Sequence, residues 1–215
     1  MKLHLITLAL LLFTISSFGQ ELEFCGSVST AGEQRFQNAT GIGLRYEGAI
    51  GSKYKIGMGV HFNFNTASFD HIPYIDADPI NVYTEKINSS SQRLSFRFNI
   101  QRMIKNNEHV SLSIGPELSY NWLWDHDNID MRNGTLANKV TFTENHQAAN
   151  RIGFGFISKV EVKGFISEKM SLCFSIRPEF IIGNMEAVIG AEQSPFYGLL
   201  GFTEFQIGLK YRLGK

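Results

Sequence analysis

Two kinds of residue grouping hold raw material for catalysis or ion binding. His109-Val110-Ser111 sets an imidazole two residues from a hydroxyl, as a general base stands beside the nucleophile it activates. Asp70-His71 and Asp125-His126 each couple a carboxylate to an imidazole, a pair able to activate water. Asp70, His71, Asp76 and Asp78 gather oxygen donors in one cluster, and Asp125, His126, Asp127 and Asp130 in another. Hard cations such as Ca²⁺ favour several such oxygens, but neither cluster has the fixed spacing of a calcium loop. His109 and Ser111 flank a short turn, where both are expected to face inward. The reading is solvated or structural residues throughout, with no catalytic residue, no cofactor and no metal.

A third grouping is periodic. Arg45 and Glu47 lie two apart, as do Arg177 and Glu179, and Lys210 and Arg212. Residues two apart in a strand share one face. The same parity collects Glu23, Lys55, Arg93, Arg97, Glu117, Arg151, Lys159, Glu161, Lys163 and Glu204. Both signs are interleaved, and buried charges persist only when paired and hydrogen-bonded. The candidate site is therefore a lumen charge network of Arg45, Glu47, Arg97, Glu117, Arg151, Glu161, Arg177, Glu179, Glu204, Lys210 and Arg212.

The elements that must position these charges are strands. Over 54–66, Tyr54, Ile56, Met58, Val60, Phe62 and Phe64 alternate with Lys55, Gly57, Gly59, His61, Asn63 and Asn65. Period-2 alternation marks a strand with two unlike faces. The pattern recurs around Phe24, Leu44, Phe98, Leu118, Phe156, Phe174 and Ile207, which makes eight strands. No charged residue falls on the apolar faces. Gly51-Ser52-Lys53, Lys105-Asn106-Asn107-Glu108 and Ser167-Glu168-Lys169 read as tight turns. Between them lie polar stretches read as loops at 30–40, 67–89, 123–149 and 184–198. Short turns at one end and long loops at the other are the asymmetry of an outer-membrane barrel, with both termini on the short-turn side. The expected fold is all-β: an eight-stranded antiparallel up-and-down transmembrane β-barrel.

Alternation alone does not say which face is outside. A soluble carrier barrel would enclose the apolar set. An eight-stranded interior is only wide enough for side chains to fill, and the Phe-rich set is too bulky for it. Gly43, Gly57, Gly59, Gly115, Gly153, Gly155 and Gly208 share the charged face, as a crowded lumen requires. Tyr46, Tyr54, Tyr120, Trp122 and Tyr211 fall near strand ends on the apolar face, where aromatic girdles sit. The apolar face is therefore expected to meet lipid.

Composition and the N-terminus agree. The 215 residues carry 20 basic and 20 acidic side chains, with 18 Phe and 20 Gly. Zero net charge argues against a nucleic-acid partner. Met1-Lys2, an apolar stretch over 5–13 and Ser17-Phe18-Gly19 read as a secretory signal peptide over 1–19. Residues 20–215 are then the outer-membrane barrel domain. Cys25 lies too far from the cut for a lipoprotein, and two Cys make no disulfide framework.

Several runs carry a resemblance. They are Gly41-Ile42-Gly43-Leu44-Arg45-Tyr46-Glu47, Tyr54-Lys55-Ile56-Gly57-Met58-Gly59-Val60, Leu112-Ser113-Ile114-Gly115-Pro116-Glu117-Leu118-Ser119-Tyr120 and Phe205-Gln206-Ile207-Gly208-Leu209-Lys210-Tyr211-Arg212-Leu213. With them the chain resembles the small outer-membrane β-barrel proteins of Bacteroidota, the PorT-type group. It departs from such chains in ending Leu213-Gly214-Lys215 rather than on an aromatic residue. The resemblance implies an integral protein of the cell outer membrane. The expected role is non-catalytic, with a plugged charged lumen and long surface loops for binding or structural anchoring. Its expected partners are outer-membrane lipid, with protein or lipopolysaccharide contacts through the loops. The alternatives are a narrow pore, a loop-based surface hydrolase and a soluble lipid-carrier barrel.

Overall fold

The computed structural model describes residues 20–31, 38–71, 83–133, 139–187 and 194–213. The signal segment 1–19, Asp76 and Asp78 lie outside the described residues. The chain forms β1 (Gln20–Ala31), β2 (Ala39–Ile50), β3 (Tyr54–His71), β4 (Tyr83–Asn106), β5 (Val110–Asn133), β6 (Lys139–Lys163), β7 (Met170–Ala187) and β8 (Ser194–Arg212). Each pairs antiparallel with its sequence neighbour, and β8 returns to β1 to close a barrel. This is the expected eight-stranded up-and-down topology. Closure leaves no free sheet edge where the ring is complete.

Local chemistry makes the short turns. Gly51 takes φ 61° between β2 and β3, a conformation that costs glycine little. Asn107 Oδ1 accepts from the His109 and Val110 amides at 3.1 and 2.6 Å, so its side chain stands in for a backbone turn. The Leu213 amide donates to the Gln20 carbonyl at 2.8 Å. Both ends of the described barrel therefore sit with the short turns.

The strands run further than their alternation suggests. Most of 67–89, 123–149 and 184–198, read above as loop, is strand. β3 and β4 pair as far as His71 and Glu85, β5 and β6 as far as Arg132 and Lys139, and β7 and β8 as far as Ala187 and Ser194. The cause is visible in β5. Its outward residues are apolar from Leu112 to Trp124, then turn to exposed His126 and Asn128. On β4 the outward row passes from Phe96 to Gln92, Asn88 and Lys86. At ~3.3 Å per residue, the 24 residues of β5 far exceed a hydrocarbon core of ~30 Å even when tilted ~45°. The wall leaves the bilayer, its outer face becomes polar, and the contrast that announces a strand disappears.

Candidate functional site

Parity decides which side chains enter the lumen, and burial shows which side that is. The apolar set faces out: Phe24 is 58% exposed, Leu118 58% and Ile152 63%. The charged set faces in, with Arg45 and Glu204 each 1% exposed. A carrier with an apolar interior is therefore overturned. A continuous apolar exterior on a closed barrel is a lipid-facing belt, because spanning β-structure must satisfy its backbone within the ring.

The lumen charges assemble in levels. Nearest the short turns, Lys210 Nζ donates to Glu21 at 2.8 Å and also to Glu161, while Lys55 Nζ reaches Glu161 at 3.2 Å. One level up, Lys159 bridges Glu23 and Glu47, the latter at 2.8 Å. Glu47 also meets Lys210 at 3.2 Å and Gln101 Nε2 at 3.2 Å. Arg45 lies 3.4 Å from Glu23 and 3.6 Å from Glu47, and its Nη2 donates to Gln206 at 2.6 Å. Gln206 donates in turn to Glu204, so this tie runs to the fourth level. At the third level Arg177 donates to Glu117, which also accepts from Asn99 at 3.1 Å, and Gln101 joins Asn99 to Glu47.

The fourth level holds a two-pronged ion pair. Arg97 grips Glu204 with two parallel bonds, Nη1 to Oε1 at 3.1 Å and Nη2 to Oε2 at 2.6 Å. This fork-to-fork geometry is the strong form of a charge-assisted bond. Arg93 spans Glu179 at 3.1 Å and Glu204 at 2.9 Å. Glu179 also accepts from Ser119, and from Asn121 at 3.1 Å. His61 sits against Glu204 at 3.3 Å, with its Nε2 3.1 Å from the Cys25 sulfur.

Most of the expected charges are thus together. Arg45, Glu47, Arg97, Glu117, Glu161, Arg177, Glu179, Glu204 and Lys210 share one connected interior. Arg177 and Glu179, two apart on β7, go to different partners: Arg177 to Glu117, Glu179 to Arg93 and Arg97. Arg151 is buried on the lumen face nearer the loop end. Arg212 is the exception. Its side chain is 44% exposed and lies 3.9 Å from Glu21, at the barrel mouth where β8 ends. The neutral members His61, Asn99, Gln101, Ser119, Asn121 and Gln206, and the carboxylate of Glu21, were missed as participants. Their signal was parity alone, since each lies on the lumen face.

Above the fourth level an apolar cluster sits among buried polar residues such as Asn65, Ser89, Ser91 and Asp127. Ala31, Leu123, Ile181 and Phe202 pack as one buried cluster. The Arg93 guanidinium lies 4.4 Å from the Phe202 ring centroid, within cation–π range. The tightness of this interior accounts for its glycines. A Cβ on Gly43 would enter the His61 ring, and one on Gly115 would strike the Ile100 carbonyl of the neighbouring strand.

Among the described residues the catalytic and metal candidates do not converge. His109 is exposed in the β4–β5 turn, not lumen-facing as expected, while Ser111 is buried in the lumen. Asp125, His126, Asp127 and Asp130 lie on β5, not in a loop. His126 is exposed and Asp127 buried, so the strand's pleat sends them to opposite faces. Asp70 and His71 end β3. Cys25 and Cys173 are free and buried.

Neither a family model nor a curated relative matches the sequence. Among solved structures, a major outer membrane protein from Thermus thermophilus superposes with a TM-score of 0.51 at 10% identity, covering 90% of this chain and 99% of that one. The fold is that of an outer-membrane β-barrel. Neisserial surface protein A aligns over 91% of this chain and 97% of its own, at 12% identity and a TM-score of 0.49. The attachment invasion locus protein Ail of Yersinia pestis aligns over 91% and 99%, at 12% and 0.43. With its lipid-facing belt, this barrel is an integral protein of the cell outer membrane.

Proposed function

We propose that this outer-membrane barrel is non-catalytic and closed to ions. Its role is to hold the wall above the bilayer for binding or structural anchoring, in contact with outer-membrane lipid and with proteins or lipopolysaccharide. The observation that carries this reading is the lumen. Arg93, Arg97, Glu179 and Glu204 bond one another across it, and the cluster around Phe202 lies directly above. An ion crossing that path would have to break charge-assisted bonds and then pass the buried Phe202 cluster. Kinship with the PorT-type barrels of Bacteroidota is part of the proposal, supported by the Gly-x-Gly and aromatic runs of β2, β3, β5 and β8.

The test is electrical. The refolded chain in planar bilayers should give no steady conductance. A steady current whose ion selectivity shifts in Glu179→Ala would make the barrel a narrow pore instead.

A further inference from the structure

The barrel is complete only at bilayer depth. β6 pairs with β7 from Ile152 to Lys163, but β6 itself begins thirteen residues earlier at Lys139. Over that stretch β6 pairs with β5 on one side, from Arg132 and Lys139 to Asn121 and Arg151. On its other side no strand pairs with it among the described residues. β7 above Ile182 instead pairs with β8, as far as Ala187 and Ser194. Among the described residues the wall is split along a seam, and one edge of β6 carries a row of main-chain donors and acceptors with no strand beside it.

The β5–β6 register shifts once, between Leu123–Ala149 and Asp125–His146, and beyond that bulge the edge over 139–146 runs regular and lacks the usual protection. Proteins blunt exposed edges with Pro, with clustered charge, or by keeping them short. Residues 139–150 read Lys-Val-Thr-Phe-Thr-Glu-Asn-His-Gln-Ala-Ala-Asn, with no Pro or Gly and only Lys139 and Glu144 charged. Val140-Thr141-Phe142-Thr143 is a run of strong strand formers. Past Trp124, at the rim of the belt, the exposed residues of the strand beside it are polar, with His126 and Asn128 facing water and Thr143 donating to Asn128 at 3.0 Å. What pairs here does so outside the lipid.

We propose that the free edge of β6 over 139–150 takes up an extended segment of a water-soluble partner protein by strand addition. In this mode main-chain bonds give affinity and side chains at alternate positions give selectivity. Charge sets the complement: a segment of low net charge, with an acidic residue opposite Lys139 and a basic one opposite Glu144. A second copy does not fit. Two copies in one membrane both run β6 from water toward lipid. A two-fold along the membrane normal then sets like residues level, donors against donors. The proposal deepens the binding role above and does not depend on whether the lumen conducts.

Hydrogen exchange on the refolded full chain in detergent tests it. The probe is a capped peptide matching 139–150 in length, alternating Thr and Val, with one Glu and one Lys placed for that complement. Without peptide, half of the amides over 139–150 should exchange fast, as unbonded edge amides do. Peptide should slow them by about tenfold or more and leave 152–163 unchanged. Successive amides point to opposite edges, so one of Phe142→Pro and Thr143→Pro removes a free-edge donor and spares the β5 ladder. That variant should keep its heat-modifiable gel band and lose the peptide effect. Three results would overturn the proposal: edge amides already slow in dilute protein alone, protection that appears only as protein concentration rises, or no response to peptide.

Discussion

At the residue scale, the interior of this barrel is an arrangement of partners rather than of charges. Glu179 accepts from Arg93, Ser119 and Asn121, contributed by two neighbouring strands, β4 and β5. Glu179→Ala leaves Arg93 buried with one carboxylate fewer, and should cost about 3–5 kcal/mol in urea unfolding from detergent. Arg93→Met combined with Glu179→Met should recover part of that loss, because no orphan charge remains. A single variant as stable as wild type would mean that water reaches the site. Gly43→Ala probes packing independently of charge. Its added methyl enters the space of the His61 ring, so it should destabilise by ~1–3 kcal/mol, as overpacking does. Gly26, with nothing near its Cβ position, should accept Ala without that loss.

Parity alone identified which charges turn inward, because the pleat sends every second side chain to one face. It did not identify who meets whom. Lys210 bonds Glu21, 189 positions away in sequence, because closure sets β8 beside β1. Arg93 reaches Glu204 across 111 positions. These pairs depend on the register between strands, which the sequence does not state. Arg212 shows the limit of parity, since it has the lumen phase but lies where the strand ends and water begins.

At the element scale, each long strand is two segments in different solvents. Inside the bilayer, apolar and charged positions alternate, and that contrast made all eight strands legible. Above it both faces are polar, and the same strand reads as loop. Substitution distinguishes the two segments. Ile176 is 48% exposed on the belt, and Ile176→Arg should cost about 2–4 kcal/mol. Asn128 faces outward above the belt, and Asn128→Arg should cost about 0–1 kcal/mol. Ser175→Ala, beside Ile176 on the lumen face, removes a bond to Gln206 at 3.0 Å and should cost about 1 kcal/mol. Equal penalties for the two Arg variants in a refolding titration would erase the boundary drawn at Trp124 and Gln92.

At the scale of the whole molecule, the sequence pattern of a soluble barrel is turned inside out. Charge is concentrated in the lumen and the Phe, Ile and Leu lie outside, so the protein is stable only where its exterior meets hydrocarbon. The two Trp of the chain report on that directly. Trp122 and Trp124 sit on the outer face of β5 at the upper rim of the belt. Trp122 packs edge-on against Phe96 at 5.2 Å and Tyr120 at 5.1 Å, in a girdle of the kind that marks a membrane interface. The decisive measurement is the intrinsic Trp fluorescence of the protein refolded into vesicles of brominated lipid. Lipid-facing Trp rings at the rim should be strongly quenched, deeper with bromine near the headgroup end of the acyl chain than at the chain terminus. Emission unchanged by bromine at either depth would put these rings away from lipid and contradict the assignment of the apolar face to the outside of the barrel.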